Sequence, residues 1–186
     1  GEKPSLERAV RRGAALHLAH IAPSGAPFEL GSARPLDFGH WAAHKLETLT
    51  RHRLRHGEAV AIGIAIDVRY AALASLLSRH VADRIIGLLQ GLGFTLWAPD
   101  LEERDAAGRL RILEGLEEFR EHLGGRLTVT LPTGLGRAVE VNAMDESRLV
   151  VVLADLAREH APRAPRVEAP PEVPVEQAAV VAGSAA

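Results

Sequence analysis

Four histidines fall within seventeen residues, at His40, His44, His52 and His56. Imidazole is both the commonest nitrogen ligand for metals and the side chain best suited to moving a proton near neutral pH. His40 and His44 are four residues apart, which on a helix puts them on one face about a turn from each other. That arrangement suits a metal ligand beside a second ligand or a proton-transfer group. His52 and His56 repeat the spacing, but Arg51, Arg53 and Arg55 interleave with them, the pattern of a solvated segment. On one continuous helix His40 and His56 would be about 24 Å apart, too far to share an ion. If the chain turns near residues 51–55, a second helix runs back past the first and His56 comes level with His40, with Gly57 leaving backbone room beside it. Two imidazoles do not complete a catalytic zinc site, which ordinarily takes three protein ligands and keeps one position open. Asp37, Glu47 and Glu58 are candidates for a third on distance along the chain alone.

Composition narrows the chemistry further. The 186 residues contain no cysteine, so disulfides, thiolate catalysis and cysteine-ligated zinc are excluded, and any metal must be held by His, Asp or Glu. Lys3 and Lys45 are the two lysines, which restricts lysine-based catalysis or phosphate binding. The formal charge of −2 leaves no basic footprint for nucleic acid or an anionic membrane. The longest apolar run, Ala59 to Ile66, is far too short to span a bilayer, and the polar start reads as no signal peptide, so a cytoplasmic protein is expected.

The elements that must position these side chains are mostly helical by pattern. Leu6, Val10, Leu16 and Ala19 recur at helical spacing over residues 6–21, and Pro23, Gly25 and Pro27 open a loop over 22–36. A second helix is expected over Asp37 to Thr50 with Asp37 as its N-cap. A third, apolar all round at its start and therefore central, is expected from His56 to about His80. Amphipathic helices follow over Val81–Leu92 and Leu110–Leu123. Residues 126–131 and 138–141 alternate about Gly134-Leu135-Gly136, a hairpin whose glycines form a turn and not a phosphate loop. Asp145 can cap a last helix reaching about His160. Beyond it, five prolines among Ala, Val and Glu mark residues 161–186 as a disordered Pro/Ala-rich tail. Trp41 and Trp97 read as packing residues, and His17, His20, His80, His122 and His160 as surface or structural.

The stretch Leu36-Asp37-Phe38-Gly39-His40, then His44 and Glu47, then His56-Gly57-Glu58-Ala59-Val60-Ala61-Ile62-Gly63-Ile64, resembles the paired signature of 3-dehydroquinate synthase and related sugar-phosphate cyclases, with the same gap of 16 between the two histidines. The hairpin around Gly134-Leu135-Gly136 extends the likeness more weakly, so that it covers about residues 15–145. The wording GSARPLDFGHWAAHKLE and GLEEFREHLGG is most similar to the divergent EboD-type, dehydroquinate-synthase-like branch. The resemblance implies a mainly α fold: residues 1–160 as the helical, metal-binding C-terminal domain with one small β-hairpin. It implies that the Rossmann-like NAD-binding N-terminal domain is absent from this chain, which would then be the C-terminal half of an enzyme and inactive alone. His40 and His56 would bind zinc or cobalt, and His44 would stand beside the substrate phosphate and the proton transfers. Arg34 would take the family arginine's catalytic place, one residue closer to the metal histidine. The third ligand would be a Glu well upstream. Partners would be a small sugar phosphate, the NAD-binding domain and a second copy in a homodimer.

Departures from the signature point to an altered substrate. Asp37 replaces a substrate-facing Asn three residues before the first ligand, and an anion there disfavours a phosphate or carboxylate. The family's late Asp-Lys-Lys element falls near Glu117 and Glu118, without a lysine. The reading is thus a cyclase that eliminates phosphate from a sugar phosphate to form a carbocycle. A metal-dependent polyol or alcohol dehydrogenase and a non-catalytic relative are the alternatives. The HGEAVAIG run favours the first and the missing lysines favour the last.

Overall fold

The computed structural model describes residues 3–21 and 36–160. The expected loop up to residue 35, Arg34 within it, and the expected tail over 161–186 lie outside them. The architecture is mainly helical with one small hairpin, as expected. Helix α1 spans Lys3–Ile21, α2 His40–Leu49, α3 His56–Leu73, α4 Arg79–Gly91, α5 Glu114–His122 and α6 Glu146–His160. Strands β1, Val129–Gly134, and β2, Arg137–Val141, pair antiparallel, and short 3₁₀ turns occupy Pro99–Glu102 and Arg111–Leu113.

The core is organised around α3. The stretch of α3 from Ala59 to Ile66 is apolar or small all round, which suits it to the interior. The helix packs against α2, α4, α6 and β1 together. Ala59, Ala65, Ile66, Val68 and Ala71 are wholly buried, and Leu149, Leu153 and Leu156 of α6 close over them. In contrast, α1 is exposed along its described side chains, including Leu6, Val10, Leu16 and Leu18. No helix among the described residues is long and apolar enough to cross a membrane.

Helix boundaries depart from pattern at three places. The second helix starts at His40, not Asp37: Gly39, at φ 81°, is its N-cap, and Asp37 contributes its main-chain carbonyl to His40 N (2.9 Å). The third helix ends at Leu73 and not near His80. Ser75 turns left-handed (φ 59°), Leu76 N returns to Ala71 O (2.9 Å) and Ser75 N to Ala72 O (3.1 Å), closing a Schellman motif without a glycine. Ser78 then caps α4 by accepting from Val81 N. The helix expected from Leu110 begins as a 3₁₀ turn and becomes α-helical only at Glu114.

The hairpin and last helix follow the sequence pattern more closely. Val129 pairs with Val141 and Leu131 with Val139, around a two-residue turn whose Gly136 sits at φ 69°. Both faces of β1 are covered, so Thr128 and Thr130 are buried alongside Val129 and Leu131. Asp145 caps α6 as expected, its carboxylate accepting from Ser147 N (2.9 Å).

Candidate metal centre

Helices α2 and α3 form an antiparallel hairpin whose turn is built from residues that carry side chains. Arg51 (φ 52°) and His52 (φ 58°) are both left-handed; Arg51 N bonds Thr48 O (3.0 Å) and His52 N bonds Glu47 O (2.8 Å), the same Schellman closure that ends α3. Arg53 braces the turn through Thr50 O and Asp100 (2.6 Å). Arg55 caps α3, and the Glu58 carboxylate returns to Arg55 N (2.9 Å) and to the Arg55 guanidinium, which holds the Glu58 carboxyl below its ordinary range. Glu58 is therefore occupied in capping.

The backbone approach that sets the hairpin is made by Gly39 and Gly63. A Cβ on Gly63 would lie 2.0 Å from Gly39 O, and one on Gly39 would lie 2.6 Å from Ile64 N. Gly57, expected to provide this room, has open space around it. With Gly63 against Gly39 and His56 beside Glu47, His56 lies about 10 Å along α2 from His40 in backbone terms, and the two rings come to 5.3 Å.

His40, His44 and His56 converge. Their ring centroids are 5.4 Å apart for His40–His44, 5.3 Å for His40–His56 and 6.2 Å for His44–His56. His52, in the turn, does not join them. His40 Nδ1 lies 3.2 Å from Phe38 O, and a carbonyl can only accept, so Nδ1 carries the proton and Nε2 keeps its lone pair. His56 Nδ1 faces both oxygens of Glu47 at 3.3 and 3.4 Å. The His40 and His56 imidazoles thus each have Nδ1 engaged by an acceptor, the arrangement that orients metal-ligating histidines. Glu47, considered above as a ligand, instead faces His56 Nδ1. A centroid separation of roughly 5 Å is also what two imidazoles on one tetrahedral ion require, given Zn–N bonds of about 2.0–2.1 Å. Among the described residues no three such donors are arranged to hold an ion by themselves. The donor set fits a divalent cation at two positions and calls for a further ligand.

His44 borders a cavity of about 190 Å³ lined by Trp41, Gly115, Glu118, Phe119 and His122. Burial lowers its pKa below the ordinary histidine value, and the neighbouring His40 lowers it further. His122, which sequence reasoning treated as surface or structural, stands 6.4 Å from His44 edge-on. Lys45 is buried, with Nζ 2.6 Å from both Glu114 and Glu118. Burial pulls its pKa down, and the two carboxylates outweigh that and hold it above the usual lysine value. Asp37 is half-buried in the turn before α2.

Asp67 was not singled out by sequence, although an acid inside an otherwise apolar helix is a visible signal. It is fully buried in α3, accepting from Gly39 N (3.0 Å) and Trp41 Nε1 (2.8 Å). Burial raises its pKa to about 7, and the two donors only partly oppose this.

The family profile described as the 3-dehydroquinate synthase C-terminal region matches residues 1–112. The chain belongs to the 3-dehydroquinate synthase family. Among its relatives in the family, a 2-epi-valiolone synthase of Actinosynnema mirum is 35% identical over 132 residues, covering 70% of this chain and 34% of the relative. A 3-dehydroquinate synthase of Rhodococcus opacus is 32% identical over 127 residues, covering 68% of this chain and 33% of the relative. A solved structure of ValA, the 2-epi-5-epi-valiolone synthase of Streptomyces hygroscopicus subsp. jinggangensis 5008, with NAD+ and Zn2+ bound, superposes with a TM-score of 0.73 at 25% identity. It matches 85% of this chain and 42% of its own. The chain spans about a third of the length of the two curated relatives.

Proposed function

We propose that this chain is the metal-binding half of a cyclase that converts a sugar phosphate into a carbocycle with loss of phosphate. The observation that carries the reading is the convergence of His40, His44 and His56 with Nδ1 of both His40 and His56 already engaged, which leaves two Nε2 lone pairs for a divalent cation. Bound there, the cation would supply Lewis acidity to a substrate hydroxyl, and NAD, held by an N-terminal domain, the transient redox change.

The chain's own residues supply position and proton handling. His40 is the first residue of α2 and His56 the first residue of α3, so each candidate ligand is placed by the start of a different helix. His44, with its pKa lowered, is a neutral imidazole at pH 7 and can take a proton from a substrate hydroxyl or carbon acid at its unprotonated nitrogen. The Phe119 and His122 rings stand beside it, at centroid distances of 6.5 and 6.4 Å. Arg34 would pair with the phosphate, and Asp37, in place of a neutral residue, would select a substrate bearing a hydroxyl or cation at that point. A solved relative that binds NAD+ and Zn2+ supports the cofactor pair.

A second reading, a non-catalytic relative, is favoured by the engagement of Lys45 with two carboxylates, which removes that cation from the site. Metal content of the full-length protein separates the two. Stoichiometric zinc or cobalt, lost in both His40→Ala and His56→Ala, is the expected result. A well-folded wild type without bound metal would overturn the cyclase reading.

A further inference from the structure

One peptide unit links the buried carboxylate to the first histidine. Asp67 Oδ2 accepts from Gly39 N at 3.0 Å, and His40 Nδ1 meets Phe38 O at 3.2 Å. Phe38 C=O and Gly39 N–H belong to the same planar trans amide, so they point in opposite directions. Turning that plane moves donor and acceptor together. Whatever holds the N–H therefore aims the C=O.

Asp67 is built to hold it. The residue is fully buried, its second oxygen is occupied by Trp41 Nε1 at 2.8 Å, and it projects from α3, the helix that begins with His56. Gly63, four residues earlier on α3, presses its backbone against Gly39 O, so the turn cannot retreat from the carboxylate without opening the helix contact. Hydrogen bonds in series through an amide also polarise one another, so an acceptor held firmly at the N–H end makes the carbonyl a better acceptor at the other.

We infer that Asp67 is a positioning residue that sets the ring orientation and tautomer of His40 through the Phe38–Gly39 peptide. It does for His40, at one remove, what Glu47 does for His56 by direct contact. The two histidines would then each be backed by a carboxylate, one immediate and one relayed. The consequence for metal affinity rests on the metal reading above; the consequence for the tautomer does not.

The test uses full-length protein with ¹⁵N-labelled histidine, wild type and Asp67→Asn, with His40→Ala assigning the His40 resonances. Ile66→Val, a conservative change at a buried neighbour on α3, controls for general core loosening. The wild type and Ile66→Val should show His40 as the Nδ1–H tautomer. Asp67→Asn, whose amide cannot accept from both donors, should show a mixture of tautomers. Cobalt affinity should fall about 10- to 100-fold in Asp67→Asn, the range for residues that orient a metal ligand. It should stay within about threefold in Ile66→Val. An unchanged His40 tautomer in Asp67→Asn, or an equal change in Ile66→Val, overturns the inference whatever the cobalt data show. A tautomer that responds to Asp67→Asn in a protein that binds no cobalt upholds the relay and overturns the metal reading instead.

Discussion

Gly63→Ala adds one methyl group at the closest backbone contact between the two histidine-bearing helices. Its Cβ would lie 2.0 Å from Gly39 O and 2.8 Å from Gly39 C, whereas ordinary contact begins at 3.4 Å. The start of α2 must retreat by about 1.4 Å, because the obstructing atoms are backbone and cannot rotate aside. That displacement falls on Gly39, whose N–H is held by Asp67 and whose carbonyl receives Ala43 N (3.1 Å), and so on His40 next to it. Overpacking of this kind costs about 1–3 kcal/mol of stability. A displacement of about 1 Å in a positioned group can cost 10²-fold in function. The expected outcome is a lower urea midpoint and a cobalt affinity reduced at least 10-fold in the full-length protein. Gly87→Ala, in the exposed interior of α4 with nothing within 4 Å of its added methyl group, should instead stabilise by about 0.5–1 kcal/mol. Wild-type cobalt affinity in Gly63→Ala would show that the helix contact does not place His40.

Asp67 predicts an unusual pH dependence. Its folded pKa is raised from 3.8 to about 7, so between these values the folded state holds a proton that the unfolded chain has released. Its contribution is complete below pH 3.8 and is lost as pH rises to about 7, a change on the order of 4 kcal/mol that urea titrations from pH 4 to 8 should show and Asp67→Asn should flatten. His44 acts in the opposite sense: with its folded pKa lowered, its contribution is present above about 6.5 and declines as pH falls, and His44→Gln should remove that decline in the same titration. Glu47→Gln leaves His56 Nδ1 with a weaker, neutral acceptor, and cobalt affinity should fall about 10-fold, measured by competition with a chelator. Lys45→Met keeps the buried stem but leaves Glu114 and Glu118 without their cation; both are partly exposed, so a loss of only about 1–2 kcal/mol in urea is expected.

The places where pattern reading missed the fold share a cause. Helix ends are ordinarily recognised by Gly, Pro or a capping side chain, and α3 ends on Ser75 in a left-handed conformation instead, whereas α2 stops within a residue of the expected Thr50 on the left-handed Arg51. Such residues cost roughly 1–3 kcal/mol in that region and persist only where the surrounding packing holds them. The start of α2 was missed for a related reason. Asp37 has the right chemistry for a cap, but the contact between Gly39 and Gly63 moves the helix start to His40. Glu47 and Glu58 were indistinguishable as candidates from spacing. One faces His56 and the other its own N-cap, because they lie on opposite strands of the turn.

What the sequence determined by itself is what local spacing and residue type encode. The i, i+4 pair His40 and His44, the Arg- and His-dense connection before His56, the apolar first half of α3, the hairpin about Leu135-Gly136 and the Asp145 cap all follow from local composition, from periods of 3.6 and 2 and from turn chemistry. The absence of cysteine likewise settled the ligand types available. Tertiary structure decided the rest: that the His56 ring meets His40 across most of a helix length, that Lys45 is buried against α5, that His122 stands behind His44, and that Asp67 grips the turn before His40. Each depends on how closely two helices approach and in what register. That approach is set by side-chain volumes on both partners at once, which no single stretch of sequence contains.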